Sequence, residues 1–302
     1  MNIRLPTNEV IICPICFSDL TESDDDFFCN NCRKKFPIIN NVGVLVPSPD
    51  DHLSNIDEKM KGKTKDWYLG SHLKSYDEGP YKFHIKKRIK FLKKILNSHI
   101  SKNGKFDNLL DLGCGDGANL RWLNQYGKNT WATDYNLLRL ERTSQEMNNL
   151  GIQAKIYLSD IYSLPFRENS FDLIFFHHVI EHLRNDLDAL QNIYKITKPG
   201  GTVIIGTPNE GVAAWKFAYS IEPDVKRKSD HVNFYTEKSI SKLSEKAGFK
   251  IKHIEHIGWG VPIWKLDPVF RKHKIFDDMF ESVGKRLFYK QATSLYVILE
   301  KD

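Results

Sequence analysis

Three groups of residues have types and spacings that could do chemistry. The first is four cysteines in two knuckles, Cys13-Pro-Ile-Cys16 and Cys29-Asn-Asn-Cys32, with 12 residues between them. Each C-x-x-C knuckle turns two thiolates toward one point, and two knuckles complete a tetrahedron. A reducing cytosol favours zinc over disulfides at such a site. Four thiolates leave no open position for water, so this zinc is expected to be structural, and to supply folding energy to a segment too short to bury much core. The second group is Asp111-Leu-Gly-Cys-Gly-Asp-Gly117, directly after the apolar Leu109-Leu110. A glycine-rich turn after a strand lets the backbone approach a ligand that any Cβ would block. A helix that follows would point its N–H groups at that ligand. Asp134, at the expected end of the next strand, can accept both hydroxyl protons of a ribose and would repel a 2′-phosphate. Asp160 can accept from an exocyclic adenine amine, with Ile161 covering the ring. The third group is His177-His-Val-Ile-Glu-His182. On a helical turn His178, Glu181 and His182 would share a face. Two imidazoles and a carboxylate can bind a divalent metal, relay a proton, or simply brace the turn. His231, in Asp230-His-Val-Asn-Phe-Tyr-Thr236, lies in a loop expected to pass over the same face.

The chain that must position these groups has 302 residues, room for one large domain with a small one. Its 41% hydrophobic content is ordinary for a globular protein. No apolar run reaches the ~18 residues of a membrane span. Met1–Pro6 lacks the apolar core of a signal peptide, so the expected location is cytoplasmic. The net charge of +6 is unevenly spread. Residues 1–60 hold 5 Lys/Arg and 10 Asp/Glu, residues 61–105 hold 13 and 3, and residues 106–302 hold 26 and 25. The basic excess therefore sits in one short segment. It could meet a phosphate-bearing partner or anionic surface, or be a solvated helix face.

Within that segment Ile85, Ile89, Leu92 and Leu96 fall on one face of a helix over 81–100, with Lys86, Lys87, Lys90, Lys93 and Lys94 on much of the rest. Before it, Phe36–Val46 reads as strand–turn–strand, and residues 47–66 as a linker. From 106 onward strands and helices alternate, as a parallel α/β sheet requires. Strands are expected near 107–111, 129–133, 154–158, 171–176, 202–206, 250–257 and 293–300. Helices are expected near 117–126, 137–149, 186–197 and 236–247. The stretch 258–290 reads as a lid or as a helix closing the sheet. The expected domains are a zinc ribbon at 1–48, a linker at 49–75 and a catalytic domain at 76–302.

Two resemblances extend these readings. Cys13, Cys16, Cys29, Cys32 and the following Phe-Pro-Ile resemble the small zinc ribbons fused to or partnered with certain methyltransferases, over about 10–46. Asp111–Gly117, Asp134, Ser159-Asp160, Leu164-Pro165-Phe166, Ser170-Phe171-Asp172, Lys198–Gly201 and Gly206-Thr-Pro-Asn209 together resemble a class I S-adenosylmethionine-dependent methyltransferase, over about 75–250. That resemblance implies a Rossmann-like seven-stranded α/β sheet with the last strand antiparallel. It also implies S-adenosyl-L-methionine as the cofactor, held by Asp111, Gly113, Cys114, Gly115, Gly117, Asp134, Tyr135, Asp160, Ile161 and His177.

Val179-Ile-Glu-His182 also resembles two groups of metal-dependent O-methyltransferases, those of ubiquinone biosynthesis and those acting at the 3′ end of small RNAs. Both have glutamate where this chain has His178. Imidazole prefers softer ions than magnesium. The expected catalytic residues are His177, His178, Glu181, His182 and His231, with His231 or His177 taking a hydroxyl proton. A second divalent metal is one reading of that cluster. The implied reaction is O-methylation of a small molecule, glycan or lipid precursor, with Trp215, Phe217, Tyr219, Trp259 and Trp264 available to line an acceptor pocket. Two other readings stand beside it. One is an RNA methyltransferase that binds through the ribbon and the basic helix, although the acidic Asp24-Asp25-Asp26 sits at the ribbon tip. The other is a non-catalytic partner that docks other proteins through the ribbon.

Overall fold

The computed structural model describes residues 5–6, 10–54, 73, 77–223, 231–261, 263 and 265–302. Along the chain the strands are β1 (Leu5–Pro6), β2 (Leu20–Glu22), β3 (Asp26–Cys29), β4 (Lys35–Ile39) and β5 (Val42–Leu45). Helix α1 (Pro49–Ser54) and the long α2 (Lys82–Asn103) follow. Next come β6 (Phe106–Leu112), α3 (Leu120–Leu123), β7 (Gly127–Asp134), α4 (Leu137–Asn149), β8 (Lys155–Ser159), β9 (Phe171–His177), α5 (Asp186–Ile196) and β10 (Thr197–Pro208). The chain closes with α6 (Ala213–Ile221), α7 (Glu237–Lys246), β11 (Lys250–Ile257), α8 (Asp267–Arg271), α9 (Lys274–Leu287) and β12 (Ser294–Glu300). The seven strands expected from 106 onward are thus β6 to β12.

The chain forms two compact units. The first holds residues 1–72, 106–175 and 191–201. Its antiparallel ribbon β1–β2–β3–β4–β5 continues without a break into β8–β7–β6–β9. The joint is parallel pairing of Gly43, Val44 and Leu45 with Tyr157, Leu158 and Ser159. Val42, Val44 and Val46 accordingly share one core with Cys114, Leu120, Ala132, Leu140 and Leu158. The start of the chain is also tied in: Ile12 N–H donates to the Pro165 carbonyl at 3.0 Å, and Arg167 N–H to the Val10 carbonyl at 2.9 Å. The expected boundary at 48 is therefore not where this unit ends. An apolar strand edge buried by its neighbour is the physical reason, since unpaired strand edges are costly.

The second unit holds residues 73–105, 176–190 and 202–302. Its sheet order is β10–β12–β11, with β12 antiparallel to both neighbours, as the class I pattern requires. Leu92 and Leu96 of α2 are buried, and Arg88 is buried with them. Strands β9 and β10 contribute residues to both units.

Three expectations shift. Helix α1 occupies Pro49–Ser54 inside the expected linker, whose remainder from 55 to 72 lies outside the described residues. So do 61–72 of the basic segment, Asp230 and Trp264. The helix expected to start at 117 starts at Leu120, because Gly117 takes a φ of +76° and is still part of the turn. Strand β10 begins at Thr197, ahead of the strand expected near 202–206, and includes Lys198–Gly201.

The close fit of ribbon to sheet centres on Gly43. A Cβ there would stand 2.8 Å from Phe27 Cε2 and 2.8 Å from Tyr157 Cδ1, both on well-buried rings. Gly43→Ala should therefore lower stability by ~1–3 kcal/mol through overpacking. Urea and thermal midpoints check this, and an unchanged midpoint would mean the two rings move aside freely.

Candidate active site

The glycine turn in the first unit is built by backbone geometry. Gly113, Gly115 and Gly117 all have positive φ, +77°, +56° and +76°. The amides of Gly113 and Cys114 both donate to the Thr133 carbonyl, at 2.7 and 2.9 Å. The Gly115 amide donates to Asp134 Oδ2 at 2.9 Å, and the Asn136 amide to Asp134 Oδ1 at 2.9 Å. Thr143 of α4 donates its hydroxyl to the Gly115 carbonyl at 2.8 Å. An added Cβ on Gly117 would lie 2.8 Å from Thr143 Cγ2. This cradle is open only because glycine lines it. Cys114 is buried, and Tyr135 is exposed, its ring edge-on to His52 at 4.5 Å. Burial, then the charges of Asp111 and Asp134, push the Cys114 thiol well up, so it serves as packing.

The three acids expected at the donor site differ. Asp134 is pinned by the two amides above, with burial raising its carboxyl and those bonds opposing the shift. Asp160 accepts from the Tyr162 amide at 2.9 Å through Oδ1 and caps the short turn Ile161–Ser163. Asp111 is fully enclosed and its Oδ2 has no partner. Burial, then the charge of Asp134, raises its carboxyl to about 8. An orphaned buried carboxyl beside a glycine cradle suits a cationic nucleoside-like ligand, so these residues fit S-adenosylmethionine.

In the second unit the histidine segment forms a different turn from the one expected. Ile180–His182 is a single 3-10 turn, and His178 precedes it with φ +54°. The left-handed region is rare for non-glycine residues, though histidine is among those enriched there. The His178 amide donates to the Gly206 carbonyl at 2.8 Å, which holds it in place. Its Nδ1 meets Glu181 Oε1 at 2.8 Å, and Thr207 donates to Glu181 Oε2 at 3.3 Å. Glu181 is 1% exposed. Burial works to raise its carboxyl, but the charge and hydrogen bond of His178 and the charge of His182 prevail and hold it below the ordinary value.

The loop carrying His231 is tied to the same residue. The amides of Val232 and Asn233 both donate to the Glu181 carbonyl, at 2.9 and 3.0 Å. His231 thereby meets His182 edge-on, with ring centroids 5.0 Å apart. Ligand atoms of Glu181, His182 and His231 all lie within 4.8 Å of one another. One carboxylate and two imidazoles within that span could hold a divalent ion of the softer kind.

His177 is not gathered into this set. Its Nε2 is 2.8 Å from the Tyr296 hydroxyl, its ring stacks on Tyr296, and burial holds its imidazole well below the ordinary value. A Cβ on Gly206 would stand 2.5 Å from His177 Cδ2, so the ring is wedged against β10. Sequence reasoning missed Glu210. Its Oε1 is 3.3 Å from His231 Nδ1, and Tyr219 donates its hydroxyl to Oε2. The signal was its place directly after Gly206-Thr-Pro-Asn209. Trp215 stacks on Tyr219 at 5.6 Å, while Phe217 and Trp259 line an apolar cavity of about 720 Å³. His84 of α2 is a further histidine, outside this cluster. Burial, then the charges of Arg271 and Arg88, hold its imidazole well below the ordinary value.

The cysteines of the ribbon converge as expected from their spacing. Sγ atoms of Cys13, Cys16, Cys29 and Cys32 lie within 4.8 Å of one another, with Cys13–Cys32 at 3.6 Å and Cys16–Cys29 at 3.4 Å. Thiolates ~2.3 Å from a tetrahedral zinc stand ~3.8 Å apart, so the cage has the right size for that ion.

Residues 84–254 match the methyltransferase-domain family, more than half of the chain. The chain belongs to that family. Its donor is S-adenosylmethionine, and the class I fold described above is the fold of its structural neighbours. A Galdieria sulphuraria protein described as a sarcosine dimethylglycine methyltransferase superposes with a TM-score of 0.52 at 18% identity, covering 72% of this chain and 88% of that one. Among curated relatives, the ubiquinone/menaquinone biosynthesis C-methyltransferase of Neisseria meningitidis is 31% identical over 114 residues, 37% of this chain and 45% of that protein. The ubiquinone biosynthesis O-methyltransferase of Rickettsia akari is 24% identical over 216 residues, 70% of this chain and 83% of that protein. The chain spans less than half the length of the first of these relatives.

The raised carboxyl of Asp111 has a consequence for this methyltransferase without donor. The folded state binds a proton there that the unfolded chain releases near pH ~4. Stability should therefore fall as pH rises from about 4 to about 8. Asp111→Asn should flatten that part of the profile. Urea midpoints of both proteins across the window check it; parallel profiles would mean Asp111 ionises normally.

Proposed function

We propose that the protein transfers a methyl group from S-adenosylmethionine to a hydroxyl oxygen of a small molecule, glycan or lipid precursor. The observation that carries this reading is the Glu181, His182 and His231 cluster. The bound cofactor supplies a methyl group already activated by its sulfonium. What remains for the chain is to orient the acceptor and manage its proton. His231 is the base. Donation from Nδ1 to Glu210 leaves the lone pair on Nε2, the nitrogen offered to the hydroxyl. Tyr219 braces Glu210 from its other oxygen. Glu181 and His182 hold the acceptor; were a divalent ion bound by these two and His231, that ion would hold the acceptor and His231 would be a ligand in place of the base. His177 keeps its packing role against Tyr296. In the first unit Asp134, Asp160 and the glycine turn hold the donor, and Cys13, Cys16, Cys29 and Cys32 hold a structural zinc.

Three experiments test this. Isotope-labelled S-adenosylmethionine is incubated with the protein and fractions of hydroxyl-bearing metabolites, and the labelled product is treated with boron tribromide. An O-methyl group is released by that cleavage, whereas a label kept on carbon or nitrogen would reject oxygen as the acceptor. His231→Ala should then lower turnover by about 10²–10⁴-fold, with donor affinity by calorimetry unchanged; normal turnover would remove His231 from the mechanism. For the metal arm, chelation that leaves the ribbon zinc in place should abolish activity, with rescue by a divalent ion. Indifference to the chelator assigns the cluster to metal-free acid–base work.

A further inference from the structure

Helix α9 is built the wrong way round for a surface helix. Ile275, Met279, Val283 and Leu287 recur every four residues and form a stripe. Such a stripe ordinarily faces the core, yet these side chains are 74%, 48%, 45% and 66% exposed. The inward face is acidic or small instead, apart from Phe280, half-buried against Phe270. Asp277 is buried between Arg271, at 3.3 Å, and Lys87 of α2, at 2.5 Å. Lys87 also meets Asp278 at 2.8 Å and Glu281 at 3.0 Å. Gly284 sits under Trp259, where an added Cβ would be 2.0 Å from the indole. The charge network thus clamps α9 by its polar side and holds the apolar stripe outward.

Neighbouring residues enlarge this face. Phe217 and Ile221 of α6 are about half exposed, as is Phe288 after α9. The 720 Å³ cavity opens among them, lined by Phe217, Met279, Val283 and Phe288. Contiguous exposed apolar surface of this kind marks an interaction site. Its charge says with what. The acids of α9 are all neutralised, Asp277, Asp278 and Glu281 by Lys87, Asp278 also by Lys274, and Glu281 also by Lys285. Lys216, Lys265, Lys272 and Arg286 are exposed and have no acidic partner among the described residues. Apolar side chains with unneutralised cations on the same and neighbouring elements are complementary to an anionic lipid surface, where the stripe enters the acyl boundary and the cations meet headgroup phosphates. A second copy on this face would bring those cations against their own counterparts. No described helix is long and apolar enough to cross a membrane, so α9 would lie in the plane of the surface.

We propose that α9, with the exposed side of α6, docks the protein on an anionic lipid bilayer. The proposal stands whether or not the acceptor atom is oxygen. The test is co-sedimentation of the full chain with phosphatidylcholine vesicles, with and without phosphatidylglycerol. Binding is expected only to the anionic vesicles and should weaken with salt. Ile275→Ser with Leu287→Ser, and separately Lys272→Glu with Arg286→Glu, should each weaken it by about tenfold or more. Lys90→Glu with Lys93→Glu and Lys94→Glu, on the basic helix α2, should leave it intact. Circular dichroism melts and donor binding confirm that the variants fold. Any of three results overturns the proposal: no binding to anionic vesicles, loss through the α2 variant with the α9 variants unaffected, or light scattering showing a dimer that Ile275→Ser with Leu287→Ser dissociates.

Discussion

Glu181 anchors both the histidine turn and the loop that carries His231. A carboxylate with 1% exposure survives as an anion only if cations and donors surround it. His178, His182 and Thr207 meet that demand from three directions. Meeting it forces His178 into a left-handed backbone and closes the turn Ile180–His182. The same residue's carbonyl then receives the amides of Val232 and Asn233, which is what delivers His231. Removing the Glu181 charge would leave two histidines and a loop without their common anchor.

The glycine turn of the first unit solves a similar problem differently. Asp134 spends both oxygens on backbone amides of the turn it shapes. Asp111 has no such partner at Oδ2 and is driven toward its neutral form. The two acids thus divide the work: one braces the glycine turn, and the other is left with hydrogen-bonding capacity unspent. Glycine at 113, 115 and 117 makes the arrangement possible, since each takes a conformation that side chains disfavour.

Each unit also has an unusual joint. The ribbon is an extension of the sheet, sharing its core through β5. Helix α9 is clamped by acids on its inner side, so its apolar side remains available.

Much of this was legible from residue order alone. Period-two and period-3.6 patterns located β6 to β12 and the helices α2, α4, α5 and α7 within a few residues, because those signals are local. The cysteine spacing and the glycine turn were equally readable, for C-x-x-C and G-x-G-x-G act through their own backbone. What the residue order could not decide depended on partners distant in sequence. His177 and His178 are adjacent, yet Tyr296 claims the first and Glu181 the second. Glu210 gained its place only when its oxygen met His231, 21 residues away. The ribbon's union with β8 required an edge more than 100 residues off. The outward stripe of α9 is the clearest instance: its periodicity announces a buried face, and only the Asp277–Lys87 contact turns that face to the outside.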